Sequence, residues 1–201
     1  MAHELIFYLS AAKDLLAERD LINRAIAEIP ADLRWQIVQS PLRDGEVDRN
    51  AIEQSFCHLL LLGGDIRAPI GLEWLIARQA GRLPTCLLKQ GINRTSAAID
   101  FQKFVELEKG WERFESEGDC RKIVLETVAG ELQKQALQIG LTAAEYDRIG
   151  RWLDELEGDS EEQLQGRRSS RLGESTVILS ESRLEPPGGQ LLEERSDRSD
   201  A

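Results

Sequence analysis

Apolar residues in this chain fall into short runs separated by longer stretches with helical spacing. Glu4 to Leu9 carries the unbroken run Leu5-Ile6-Phe7-Tyr8-Leu9, and Cys57 to Leu62 carries a second. A run without polar alternation predicts a strand buried on both faces, as in a parallel sheet. Leu33 to Val38, Pro84 to Lys89 and a short edge segment, Trp111 to Phe114, complete the predicted strands. Between them, Ala12 to Ile29 reads as a helix with Leu15, Ile22, Ile26 and Ile29 on one face, ended by Pro30. Val47 to Ser55 is a short helix reached through the turn-rich segment Ser40-Pro41 to Asp44-Gly45. Ile70 to Ala80 is a helix closed by Gly81 as its C′ residue, and Ala97 to Glu108 is another. Strands alternating with helices predict an α/β domain, a parallel sheet of about five strands in the order 2-1-3-4-5. The first and third strands then flank the point where strand order reverses, and the loops Ser10 to Lys13 and Gly63 to Ala68 meet there.

The pattern divides the chain into three parts. Residues 1–118 form the α/β domain. Residues 119–158 form a helical extension. Cys120, Val124, Val128 and Leu132 line one side of Asp119 to Ile139, Gly140 breaks that helix, and Thr142-Ala143-Ala144-Glu145 is a capping box for the next. Leu141 and Tyr146 are placed as its hydrophobic staple. These helices form a hairpin on the domain or on another chain. Residues 159–201 have no Phe, Trp, Tyr or Lys and contain Pro186-Pro187-Gly188-Gly189. They read as a disordered acidic tail, in which Thr176 to Leu179 is too short to build a core.

Composition narrows the functional classes. The net charge of −11 argues against nucleic acid and anionic membranes as partners. No apolar run approaches the roughly 20 residues that span a bilayer. Three scattered cysteines without a CxxC pair suit a reducing compartment, so the expected location is the cytoplasm. Two histidines and those cysteines give no metal-ligand spacing, and no metal site is expected.

Candidate chemistry gathers at the two loops. Ser10, Asp14, Leu15, Glu18 and Arg19 follow the first strand, and Gly63, Glu73-Trp74, Ala77 and Gly81-Arg82-Leu83-Pro84 follow the third. With Trp111-Glu112-Arg113-Phe114 as a closing strand, this pattern resembles the TIR-like domains of unknown function found in front of STAND-type NTPases in bacterial signalling and defence proteins. The resemblance covers about Leu5 to Leu132 and implies a flavodoxin-like/TIR-like fold. The chain departs from it at Ala11 and Ala12, Gly71 and Ile66-Arg67, positions where polar or aromatic groups are usual. No Gly-x4-Gly-Lys-[Ser/Thr] motif occurs, so an NTPase partner would be another chain.

More distantly, the Glu73-Ala77 spacing is similar to that of TIR domains and nucleoside deoxyribosyltransferases. There a glutamate acts at the anomeric carbon of a ribose. The resemblance implies Glu73 as the catalytic carboxylate, stabilising or attacking a developing sugar cation. Ser10, Lys13, Asp14, Gly63, Gly64, Asp65 and Arg67 become the ligand-binding candidates, Ser10 and the glycine backbone for ribose or phosphate and Asp65 for a ribose hydroxyl.

Each residue also has a plain structural reading. Glu73 in a first turn gains from the helix dipole without chemistry. Ser10 and Asp14 suit helix capping, and Arg19 suits an ion pair with a distant carboxylate. Gly63 and Gly64 suit a bare turn, and Arg67 a solvated loop. Cys57 and His58 are neighbours on a strand, point to opposite faces and cannot form a catalytic pair. Three functions follow, the first preferred and the second its alternative. One is a signalling or protein-interaction module that self-associates or binds a partner chain. Another is a hydrolase or transferase acting on the N-glycosidic bond of NAD or a nucleoside, with that nucleotide as substrate and no cofactor required. An FMN carrier is disfavoured, because the phosphate loop it needs is missing at Ser10 to Lys13.

Overall fold

Five parallel strands make one sheet in the order β2-β1-β3-β4-β5 in the computed structural model, which describes residues 4–41, 46–66 and 69–156. They are β1 (Glu4–Ala11), β2 (Arg34–Ser40), β3 (Cys57–Leu62), β4 (Thr85–Lys89) and β5 (Glu112–Phe114). The helices between them are α1 (Leu16–Ala27, entered through a 3-10 turn at Lys13–Leu15), α2 (Arg49–Gln54), α3 (Ile70–Gln79) and α4 (Ser96–Glu106). Then follow α5 (Glu117–Lys134), α6 (Ala136–Ile139) and α7 (143–156). This is the predicted flavodoxin-like α/β order. The chain divides into two compact units, Met1–Glu162 and Gln163–Ala201. Only the first contains described residues. The expectations for the tail (159–201), for Arg67 and for the middle of the 40–45 turn lie outside them.

Each strand feeds two cores by alternation. Phe7, Leu9 and Ala11 of β1, Leu59 and Leu61 of β3, Leu87 of β4 and Phe114 of β5 face α1 and α5. Tyr8 of β1 packs with Ala51, Ile52, Ile76 and Ala77 of α2 and α3. Leu60, Leu62, Cys86 and Leu88 pack under Trp74 of α3 and Ala98 and Val105 of α4. The side-chain period of two in a strand produces this split. Trp74, Phe101 and Trp111 stack edge-on in a row across α3 and α4, with ring centroids 6.5 and 6.4 Å apart.

Two boundaries differ from the sequence expectation. β1 runs on through Ser10 and Ala11, which pair with Leu60 and Leu61 of β3. The long C-terminal helix breaks at Gln135, and Gly140, with φ of 72°, ends the short α6 that follows. The first helix of the extension is no appendage. Cys120, Val124, Leu125, Val128, Ala129 and Leu132 join Phe7, Leu59 and Ile22 in a single cluster. Ile149 of α7 is buried in the same cluster. The capping box at α7 forms as read: Thr142 N–H donates to Glu145 Oε2 (2.9 Å) and Glu145 N–H to Thr142 Oγ1 (3.3 Å). Glu145 also accepts from Asp32 N–H, tying α7 to the α1–β2 connection. Gly81 adopts φ of 68° and makes the paired bonds of a Schellman turn, Gly81 N–H to Arg78 O and Arg82 N–H to Ala77 O.

Candidate functional site

The loops after β1 and β3 meet, as the strand order requires. Asp14 Oδ2 accepts from Gly64 N–H at 2.8 Å. A Cβ at Gly63 would lie 2.4 Å from that same oxygen, so the absence of a side chain is what lets the loops close. Gly64 O accepts from Thr95 N–H (2.9 Å), and Thr95 Oγ1 donates to Asp65 Oδ1 (2.8 Å). The Gly64 amide therefore already holds an anion, the Asp14 side chain. Asp14 clasps loops rather than capping a helix: the 3-10 turn begins at Ala12 without a side-chain cap. Lys13 is exposed beside it.

Behind this clasp, on the α2–α3 face, lies a group of buried polar side chains. Ser10 is fully buried, and its Oγ sits 2.9 Å from His58 Nε2. The register explains the pair: Ser10 lies beside Leu60, so His58, two residues earlier on β3, is its diagonal neighbour on the same face. Tyr8 lies directly beside His58, and the rings meet edge-on with centroids 5.0 Å apart. The Tyr8 hydroxyl donates to Glu73 Oε1 at 2.9 Å.

Glu73 has 0% exposure. It is not the solvated first-turn acid of the helix-dipole reading, and it does not overlook an open crevice. Its side chain turns inward from α3 to the buried face of β1, two residues before Ser10. One of its oxygens has a partner; Oε2 has none. Ser40 Oγ and Arg19 Nε are likewise buried without a hydrogen bond of good geometry. Arg19 Nη2 donates to the Gln39 amide oxygen (3.2 Å) rather than to a carboxylate, although it lies within the field of Glu73.

Electrostatics fix the protonation of this group. Burial, then the charge of Glu73, pushes the Tyr8 phenol above its ordinary pKa, so it stays a hydrogen-bond donor. Burial, with help from Lys109, lowers His58 to about 3, and it is neutral at physiological pH. Burial also lowers Arg19, with Asp20 and Glu73 opposing. On the other side of α1, Glu18 is buried and bound by Lys89 Nζ at 2.5 Å.

No family model, curated protein or solved structure matches this chain. The site stands on its geometry. Among the described residues, no group of three or more His, Cys, Asp or Glu side chains could hold a metal ion, and no helix is long and apolar enough to cross a membrane. Cys57, Cys86 and Cys120 are buried free thiols, each raised to about 12 mainly by burial, and so are poor nucleophiles.

The structure brings Glu73 together with Tyr8, a residue that sequence reading used only as strand core. An unbroken apolar run hides a tyrosine, since its ring satisfies the pattern while its hydroxyl does the bonding. His58 and Ser10 were each visible singly. Their pairing needed the strand register.

Proposed function

We propose that this domain binds the sugar of a nucleoside or of NAD at Glu73 and cleaves its N-glycosidic bond. One observation carries the reading: a fully buried carboxylate with only one oxygen bonded. A buried polar atom without a partner costs about 1–3 kcal/mol and more when charged, and natural domains keep few of them. Apolar residues would fill the same volume more stably, so the cluster suits a ligand rich in hydroxyls. Tyr8 holds Oε1 and leaves Oε2 for the anomeric carbon. As the C–N bond breaks, the base leaves with the bonding electrons and, unless it is the cationic nicotinamide of NAD, takes up a proton from solvent; the carboxylate offsets the charge left on the sugar, and water adds to the anomeric carbon and gives its proton to solvent. The reading requires a conformation that admits the sugar, because the carboxylate is enclosed as described. The Gly63-Gly64 backbone is left out of phosphate binding, since Asp14 already occupies the Gly64 amide.

The test is incubation of the purified chain with NAD and with nucleosides, beside Glu73→Ala. Release of nicotinamide or free base, reduced about 100-fold or more in the variant, is expected. No turnover and no binding of either ligand at millimolar concentration would overturn the reading.

The second reading is a protein-interaction module, and the outer surface of the α3–α4 side favours it. Leu72 and Leu75 on α3 and Ile99 and Phe104 on α4 are exposed. Apolar groups of this size on neighbouring helices suit a partner or self-association. Mass rising with concentration in light scattering, abolished by Leu72→Glu with Phe104→Glu, is its expected signature. A monomer at every concentration would contradict self-association.

A further inference from the structure

At the edge of the sheet opposite the Asp14–Gly64 clasp, where β3 and β4 begin, lies a polar cavity of about 210 Å³. Cys57 and His58 of β3, Arg82, Lys109 and, from α5, Glu131 line it with Gln135 at its end. The charges are unevenly satisfied. Glu131 is bonded by Lys134 Nζ (2.8 Å) and by Gln135 Nε2 (3.2 Å), which hold its carboxyl group below the usual range. Arg82 and Lys109 form no ion pair among the described residues. Each is anchored by a backbone carbonyl: Arg82 Nη1 donates to Ser55 O at 2.9 Å, and Lys109 Nζ approaches Leu83 O at 3.5 Å. A guanidinium has five N–H donors and an ammonium three, so both keep donors to spare.

We propose that this cavity is a second ligand site that takes a small oxyanion, a carboxylate or phosphate, between Arg82 and Lys109. It is independent of the Glu73 reading and lies at the other end of the strands.

The experiment is calorimetric titration of the full chain with inorganic phosphate and, separately, with succinate, at fixed ionic strength in chloride. One of the two binds, and which one binds identifies the source of the oxyanion. Lys109→Gln and Arg82→Gln each weaken binding about tenfold or more, as loss of a charge-assisted bond requires. Glu131→Gln tightens it about threefold by removing a like charge. Glu73→Gln leaves it unchanged. No binding of either probe at millimolar concentration overturns the proposal. So does binding indifferent to Lys109→Gln, or weakened by Glu131→Gln, the last result pointing to a zwitterion.

Discussion

The two faces of the sheet are made from the same strands, yet they are built differently. Toward α1 and α5, β1 presents Phe7, Leu9 and Ala11 to an apolar cluster, and the buried acid on that side, Glu18, is paired with Lys89. Toward α2 and α3, the intervening residues are Tyr8 and Ser10, joined by His58 and Glu73. One face is an apolar core with a single buried ion pair. The other buries a carboxylate, an imidazole, a phenol and a hydroxyl within a few residues of the point where strand order reverses. Apolar burial stabilises by about 25 cal/mol per Å², whereas buried polar groups at best break even. Under the proposed function, the difference separates stability from chemistry: alternate residues of one strand serve each.

Substitutions on the two faces should separate in size. Phe7→Ala opens a cavity in the apolar cluster and is expected to cost about 3–5 kcal/mol in urea unfolding. Tyr8→Phe, its neighbour on the other face, deletes one hydroxyl and leaves Glu73 without a donor, for about 1–3 kcal/mol. Equal losses would mean that the polar face is as much a structural core as the apolar one.

On the polar face, acid should act through His58. Folded, His58 binds its proton only near pH 3, against about 6.5 for a free histidine. Between those values the unfolded chain holds the extra proton. The contribution of His58 is therefore complete above about pH 6.5 and declines as the pH falls, on the order of 1 kcal/mol per pH unit. Unfolding measured from pH 7.5 down to 5.5 in the wild type and in His58→Gln isolates this part. A His58 resonance that titrates between pH 6 and 8 would contradict the burial argument.

The smallest effect belongs to the loop clasp. Gly63→Ala pushes a methyl group onto the Asp14 carboxylate and breaks its bond to Gly64, with an expected loss of about 1 kcal/mol. Asp14→Asn should lose less than Gly63→Ala, because an amide oxygen still accepts from Gly64. If the two variants are equally stable to wild type, the clasp does not hold the loops.

Much of the fold was legible because buried parallel strands and capped helices write themselves in local pattern. Cys57 to Leu62 is apolar at every position but His58 and is a strand from end to end. Gly81 and the Thr142–Glu145 box mark helix ends through local backbone chemistry. The 2-1-3-4-5 order followed from the alternation of elements. The candidate site was legible only as a set of separate residues. Glu73 was visible as an acid near a loop, but nothing local says which way a first-turn side chain turns. Its partner Tyr8 is 65 residues away in sequence, and the bond depends on β1 packing against α3. The same holds for Ser10 with His58, where one residue of register decides whether they meet. Asp14 bonds the Gly64 amide across the two loops, a contact that neither loop's sequence shows by itself.

The central claim is that the polar face is retained for chemistry at a cost in stability. Glu73→Gln tests it most directly, because the variant keeps the shape and an acceptor for Tyr8 while removing the charge. Unfolding free energy and release of base or nicotinamide should be measured on the same preparation. The account predicts a variant at least as stable as the wild type and without turnover. A variant destabilised by several kcal/mol, beside a wild type that cleaves nothing, would make Glu73 a structural residue and contradict the claim.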